Sequence, residues 1–222
     1  MNSLIVPSGI TDVRPIRDIV YDYLREALVD GVIKPGERIV ERTYAEKFNV
    51  SRTPIREVLR KLEMEGFVEY IPRRGIVAKG LNAAEIEEIY AIRISLERLA
   101  IRTAVGKISA AQLNRVKKVH EKTIAANEQD DVATVVTQMR KFDDLLFEAA
   151  NMPKLQKMIA GLQESLRSYR KINLSGGSRR SLAIDEHGEI LKAVINKDSD
   201  LAEQLVIAHI ERARNSLLGK DK

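Results

Sequence analysis

The chain has 222 residues, of which 44% are hydrophobic and 31% are charged, so we expect a packed core and exclude global disorder. It contains no cysteine, which excludes disulfides, thiolate metal sites and a cysteine nucleophile. The formal net charge is only +5, but residues 51–80 hold seven Lys and Arg against four Asp and Glu, and this local excess fits a focused nucleic-acid surface.

Residues 1–13 lack the basic start and the sustained apolar core of a signal peptide, and we expect them to form a short flexible arm. No stretch reaches the roughly eighteen consecutive apolar residues of a membrane-spanning helix, so no membrane partner is predicted. These features together lead us to expect a cytoplasmic protein.

Residues 14–80 show the pattern of a small DNA-binding domain. Apolar residues recur at helical spacing from Ile16 to Leu28, and Tyr44, Ala45 and Phe48 mark a short second helix over about Glu41–Phe48. A tight turn follows, then a third helix with Ile55, Val58, Leu59 and Leu62 on its apolar face, ended by Gly66. The segments "FVEYI", "PRRG" and "IVA" predict a hairpin. This order is that of a winged helix-turn-helix.

The third helix carries its polar side chains where a DNA-reading helix needs them. Ser51 can cap it, and Arg52, Thr53 and Arg56 occupy its exposed leading end, which enters the major groove first. An arginine fork matches the O6 and N7 acceptors of guanine. Arg73 and Arg74 at the hairpin tip can reach the minor groove, and Gly75 allows a close backbone approach.

The same residues permit two other interpretations. Arginines on an amphipathic helix are commonly its solvated face, and a helix-turn-helix can bind another protein instead of DNA.

Residues 81–222 predict helix after helix, without strand alternation. The predicted helices are about 83–105, 110–127, 131–150, 153–172, 179–196 and 198–217. Short loops between them favour an antiparallel bundle of about six helices, so the whole chain is predicted to be mainly α.

Four side chains of this region could form a metal site. Asp144 and Glu148 lie four residues apart on one helix, and His187 and His209 lie on the two last helices, where a bundle can bring them together. Two imidazoles with one or two carboxylates suit zinc, nickel, manganese or iron. The alternative is that each histidine is an isolated polar residue and that the acidic pair is on the surface.

The segment "SRTPIREVLRKLEMEGFVEYIPRRGIVA" closely resembles the recognition helix and wing of GntR-type bacterial transcription regulators, and "KPGERIVERTYAEKFNV" resembles the segment that precedes them. The resemblance covers about residues 14–80. It implies DNA contacts by Arg42, Arg52, Thr53 and Arg56, and wing contacts around Arg73, Arg74 and Gly75.

The helical region resembles the FCD ligand-binding domain of the FadR subgroup, in "IYAIRISLERLAIRTAV", "FDDLLFEAANMPKL" and "DEHGEILKAVINKDSDLAEQLVIAHIERA". In its metal-binding members an Asp is followed four residues later by a His and then by two His on later helices. Asp144, His187 and His209 fill three of these places, and Glu148 replaces the first His. We expect a retained divalent metal such as Zn, Ni or Mn.

A metal with open positions would attract a small carboxylate effector. Arg93 is a candidate clamp for its carboxylate, or else a structural partner of Glu97, and Tyr90 is a weaker candidate.

The resemblance implies a ligand-responsive transcription regulator, commonly a repressor, that binds a pseudo-palindromic operator as a homodimer. One alternative is a metal-dependent hydrolase or lyase that uses the same acidic and histidine residues, although no separate general base or nucleophile motif is evident. Another is an architectural protein that binds DNA regardless of sequence.

Overall fold

A computed structural model describes residues 14–220, which contain ten helices and one two-stranded sheet. The predicted flexible arm, residues 1–13, lies outside this range. The chain divides after Leu81 into two compact units, which are described separately. None of the helices in residues 14–220 is long and apolar enough to cross a membrane.

The first unit has the predicted order of elements. Its helices are α1 (Ile16–Val29), α2 (Glu41–Phe48) and α3 (Arg52–Met64), and its strands are β1 (Val68–Ile71) and β2 (Gly75–Ala78). A core of apolar side chains joins the three helices and the hairpin because each helix presents one buried stripe to the others. The fully buried members of this core include Val20, Leu24, Ile55, Leu59 and Leu62.

The turn between α2 and α3 is set by Asn49, whose φ of 52° places it in the left-handed region that asparagine tolerates better than most residues. Ser51 occupies the position before α3, but its side chain makes no capping hydrogen bond, contrary to the prediction. The backbone amides of the first turn of α3 therefore donate no hydrogen bond to this hydroxyl.

The wing is an antiparallel hairpin in which Val68 pairs with Ala78 and Ile71 with Gly75. The segment before α2 adds one bridge to it, between Arg38 and Val77, which the sequence did not predict. This bridge ties the entry to α2 to the base of the wing.

The second unit contains seven helices, not the predicted six. They are α4 (Ala83–Val105), α5 (Ala110–Glu128), α6 (Val132–Glu148), α7 (Pro153–Ser165), α8 (Arg167–Asn173), α9 (Gly177–Ile195) and α10 (Ser199–Leu217). The predicted helix over 153–172 is broken at Leu166, whose φ of −99° and ψ of 6° end α7. No Gly or Pro marks this break, and Leu166 itself is buried, so packing fixes it.

The bundle is organised around α4, which packs against α6, α7 and α10, while α5 packs against α6 and α9. Capping boxes start α4, at Asn82 and Glu85, and α5, at Ser109 and Gln112. The asparagine and serine side chains satisfy amides that the helices leave free, so these two starts agree with the prediction.

Candidate functional site

The leading turn of α3 is open to solvent. Ser51, Arg52 and Thr53 are all exposed, while Ile55 is buried in the core and fixes which way the helix faces. Within the described residues, Arg52 makes no hydrogen bond and no ion pair. Its guanidinium is therefore available to an external acceptor.

The two other contact arginines predicted on α2 and α3 are held by carboxylates. The Nε and Nη2 atoms of Arg56 donate to the two carboxylate oxygens of Glu41 at 3.2 and 3.0 Å. Arg42 donates from Nε to Glu46 at 2.7 Å, one turn further along α2. Both hydrogen bonds raise the pKa of the guanidinium concerned, so both arginines stay charged. Both are also solvent-exposed and can exchange these partners for phosphates or bases.

The wing tip contains a backbone conformation that costs free energy. Arg73 has a φ of 68°, in a turn where Pro72 precedes it and the Arg74 amide donates to the carbonyl of Ile71 at 3.1 Å. Glycine or asparagine is favoured at such a position. Gly75 follows with a φ of 82°. Strained non-glycine residues are concentrated at functional sites, and here the strained residue is an exposed arginine at the tip.

An open groove of about 540 Å³ runs between α3 and the wing. Its lining includes Arg38, Arg56, Arg60 and Gly75, and Arg74 donates from Nη2 to the carbonyl of Gly36 at 3.3 Å on the same side. Arg38 was not singled out in the sequence because it precedes α2. Only the bridge to Val77 brings it beside Gly75, near enough to contact a side chain there.

The helical unit contains a second candidate site, a partly open cavity of about 30 Å³. This volume holds one or two water molecules, so a larger ligand requires the walls to move. The polar side chains that line it come from α4, α8, α9 and α10, and they are Tyr90, Arg93, Arg170, Asn173, Arg179 and His209. Tyr90 and Arg93, predicted from the sequence, do meet here.

Arg93 is paired with Glu97, which was one of the two roles predicted for it. Its Nε donates to Glu97 at 2.8 Å, and both side chains are buried, with 9% and 3% exposed. Burial opposes its charge, but Glu97 and Tyr90 more than offset that effect and raise the pKa of Arg93. Its guanidinium carbon lies 5.0 Å from the centre of the Tyr90 ring. Arg93 is thus a structural partner of Glu97 that also faces the cavity.

Glu186 contacts two of the residues that line the cavity, His209 and Arg179. His209 Nδ1 lies 2.5 Å from one oxygen of Glu186, and Arg212 Nε lies 2.9 Å from the other. Arg179 adds a longer contact from Nη1 at 3.4 Å, while its Nε is buried without a partner. Burial opposes ionisation of Glu186, but the hydrogen bond with His209 and the nearby charges outweigh it and lower the pKa.

The predicted four-residue metal set does not assemble. His187 and His209 do approach each other, with ring centres 4.8 Å apart. The Asp144 side chain is 48% exposed, 3.9 Å from Arg140, and Glu148 is 47% exposed, 3.7 Å from Arg115. Asp144 and Glu148 are four residues apart on α6, as expected, but within the described residues no hydrogen bond or ion pair joins either of them to a histidine.

Asp143 is the carboxylate that faces the interior in place of Asp144. One of its oxygens lies 3.5 Å from His187 Nε2, and the other accepts from Arg170 Nη2 at 3.1 Å. A sequence signal for this existed. Asp143 falls on the apolar stripe of α6, four residues after the buried Met139, whereas Asp144 lies one position outside it.

Only part of this group of residues has the properties of metal ligands. Burial, together with the charges nearby, lowers the pKa of His187 well below its usual value, and its Nε2 has no hydrogen-bond partner, as a ligand nitrogen would require. The carboxylates do not complete a site, because Asp143 already binds a guanidinium, and Asp144 and Glu148 are about half exposed beside Arg140 and Arg115. Within residues 14–220, no three His, Asp or Glu side chains are placed to hold one metal. The donor set therefore does not fit.

Comparisons with known proteins agree with both parts of the structure. A family model described as the FCD domain matches residues 88–212, and one described as "Bacterial regulatory proteins, gntR family" matches residues 16–77. The chain is 33% identical over 190 residues to the HTH-type transcriptional regulator YdhC of Bacillus subtilis, covering 85% of both chains. It is 24% identical to the HTH-type transcriptional repressor RspR of Escherichia coli, covering 96% of this chain and 93% of that one.

Among solved structures, McbR/YncC of E. coli superposes with a TM-score of 0.74 at 23% identity, over 94% of this chain and all of the other. A GntR regulator from Rhodococcus gives the same TM-score at 22% identity, over 93% and 99% of the two chains. At this identity the likeness concerns the fold alone. The winged helix-turn-helix, the helical domain and these matches together show that the chain is a transcription regulator of the GntR family with an FCD domain.

Proposed function

We propose that this regulator is a repressor that recognises a specific operator through Arg52 and Thr53, with Arg56, Arg42 and the wing arginines as further contacts. The observation that carries the proposal is the unpartnered, exposed guanidinium of Arg52 at the leading end of α3. In this proposal the protein acts in the cytoplasm, where its operator DNA is found.

The operator is proposed to be pseudo-palindromic because the regulator acts as a homodimer. Support comes from apolar side chains on the surface of the FCD domain. Ile92 and Leu99 lie seven residues apart on one face of α4, with 40% and 47% of their surface exposed. Leu201 and Met158 are also exposed on the neighbouring helices α10 and α7. Native mass spectrometry of the purified chain tests this, and a monomeric mass would contradict it.

The effector is proposed to be a small carboxylate bound in the FCD cavity. Arg93, Arg170 and Arg179 all line it, and guanidinium groups bind carboxylates through paired hydrogen bonds. A carboxylate larger than this cavity can enter only if one of the cavity walls moves. The short helix α8 contributes Arg170 and Asn173 to one of these walls, and each of its residues keeps some exposed surface. An effector that binds better with α8 displaced would shift the protein between two states and so alter DNA binding.

The DNA-binding part is tested by selecting duplexes from a random library with the wild-type protein. Binding of one selected and one scrambled duplex is then measured by fluorescence anisotropy at a single fixed salt concentration. Arg52→Ala is expected to weaken binding of the selected duplex about 5- to 150-fold, the equivalent of ~1–3 kcal/mol for one arginine–guanine pair, and to affect the scrambled duplex much less.

Arg17→Ala is the matched control, since Arg17 is an exposed arginine on α1 in the same domain and outside the groove. It removes the same charge and should preserve the preference for the selected duplex. If Arg52→Ala retained the wild-type preference, with its circular dichroism spectrum unchanged, the proposal that Arg52 reads bases in the DNA major groove would be wrong.

The two alternatives make different predictions. An architectural protein would bind the selected and scrambled duplexes alike. An enzyme would turn over small carboxylates, yet the relatives named above are transcription regulators, not enzymes.

A further inference from the structure

The inward face of α6 holds a different pair of residues from those expected of a metal-binding FCD domain. Met139 and Asp143 are four residues apart, both are buried, and Met139 lines the cavity. They carry a thioether and a carboxylate, whereas the positions of the expected carboxylate and imidazole, Asp144 and Glu148, are about half exposed. A thioether is a soft, uncharged ligand and contributes little to binding a divalent metal.

The place beside Asp143 is already taken by a positive charge. Arg170 Nη2 donates to Asp143 at 3.1 Å, and the side chains of both residues are largely buried. A divalent ion bound to the same carboxylate would lie next to this guanidinium, and the repulsion between two cations at that distance is strong in a partly buried site. Asp143 therefore positions Arg170 instead of ligating a metal.

Arg170 has N–H groups that remain available to donate hydrogen bonds to a ligand. A guanidinium has five N–H donors, and within the described residues Arg170 donates one of them, to Asp143. Arg170 also lines the cavity, where Arg93 and Arg179 contribute two further guanidinium groups. A carboxylate that entered the cavity would thus meet fixed positive charge without a metal ion.

We propose that this FCD domain binds its effector without a metal, and that the guanidinium of Arg170, held by Asp143, occupies the place of the metal cation. The inference rests on the proposed function, since it concerns the same carboxylate effector. Its direct consequence concerns metal affinity, which can be measured without knowledge of the effector or the operator.

The experiment measures zinc and nickel binding by calorimetry, and metal content by elemental analysis after gel filtration, on protein first dialysed against a chelator. Wild type and His187→Ala are expected to carry the same trace amount of metal. The variant M139D/D143H, which places a carboxylate and an imidazole four residues apart on the buried face of α6, is expected to bind one metal ion per chain. Arg170→Gln, which removes the competing cation, is expected to bind zinc more tightly than wild type.

Glu148→His is the matched control, because it also adds an imidazole to α6 but on the exposed face. It should gain no metal. The proposal is overturned if wild type binds one metal per chain and His187→Ala loses it. It is equally overturned if M139D/D143H and Arg170→Gln, both folded by circular dichroism, bind no more metal than wild type.

A separate experiment distinguishes the proposal of a carboxylate effector from the inference that it binds without a metal. Malonate, succinate and citrate are tested for their effect on the melting temperature of wild type in chelator and in zinc. A carboxylate that stabilises the protein equally in both media agrees with the inference, and one that needs zinc contradicts it. If none stabilises the protein in either medium, the proposed effector class fails, while the metal measurements still decide the question of the metal.

Discussion

Glu97→Gln tests the buried ion pair at the centre of the FCD domain. The substitution keeps the shape of the side chain but leaves the charge of Arg93 buried without its main partner. Removing one member of a buried ion pair typically costs about 3–5 kcal/mol. The nearby carboxylate of Asp143 also acts on Arg93 and supplies part of the compensation, so we expect the lower value, about 3 kcal/mol.

The assay is urea unfolding followed by far-ultraviolet circular dichroism. The FCD domain holds seven of the ten helices of residues 14–220, so it dominates this signal. With an m-value of about 2 kcal/mol per M of urea, a loss of ~3 kcal/mol lowers the midpoint by about 1.5 M.

Two controls isolate the effect of burial. Arg42 and Glu46 form the same Arg–Glu pair at the same spacing, but with 71% and 64% of the side chains exposed. Asp144→Asn changes an acidic residue of the FCD domain itself, one whose pKa is raised by burial and by its acidic neighbour. Glu46→Gln and Asp144→Asn should both leave the midpoint close to that of wild type, because neither strands a buried charge. Equal shifts for Glu97→Gln and Glu46→Gln would refute the reasoning.

Three further predictions concern other parts of the molecule. Burial and the neighbouring His209 lower the pKa of His187 in the folded protein, whereas the unfolded chain takes up this proton below about pH 6.5. The free energy of unfolding should therefore decrease as the pH is lowered below about 6.5, by up to ~1.4 kcal/mol per pH unit. His187→Gln should flatten this slope in urea unfolding measured at several pH values. Arg73→Gly should stabilise the winged domain by up to about 1 kcal/mol, since it relieves a positive φ, and weaken DNA binding; unchanged binding would exclude a contact by this side chain. Glu41→Gln should tighten binding of scrambled DNA and reduce the preference for a selected duplex, because Arg56 loses the carboxylate that orients it; anisotropy with both duplexes measures this.

Much of the fold was predictable from local signals. The predicted limits of α4, about Ala83 and Val105, were confirmed, and in the structure Asn82 caps the start and Gly106 follows the end. The bounds of α2 and the order of helices and hairpin in the first unit were also confirmed, since turn residues and helical spacing mark them. The break at Leu166 was missed because it has no such residue and depends on packing.

The candidate sites also combine features that the sequence predicts with features that only the packing of helices decides. The exposure of Arg52 follows from its position at the start of an amphipathic helix whose apolar face is visible in the sequence. The choice between Asp143 and Asp144 depends on a rotation of about 100° around the axis of α6. Adjacent acidic residues look equivalent in a sequence, and only the helices packed against α6 decide which one is buried.

The sequence by itself determined the class of this protein, the order of its elements and the leading end of the recognition helix, because these follow from spacing and capping along one segment. The tertiary structure alone decided which charges meet, such as Arg56 with Glu41 and Arg170 with Asp143. Those pairs lie 15 and 27 residues apart in the chain, and their contact arises from the packing of different helices.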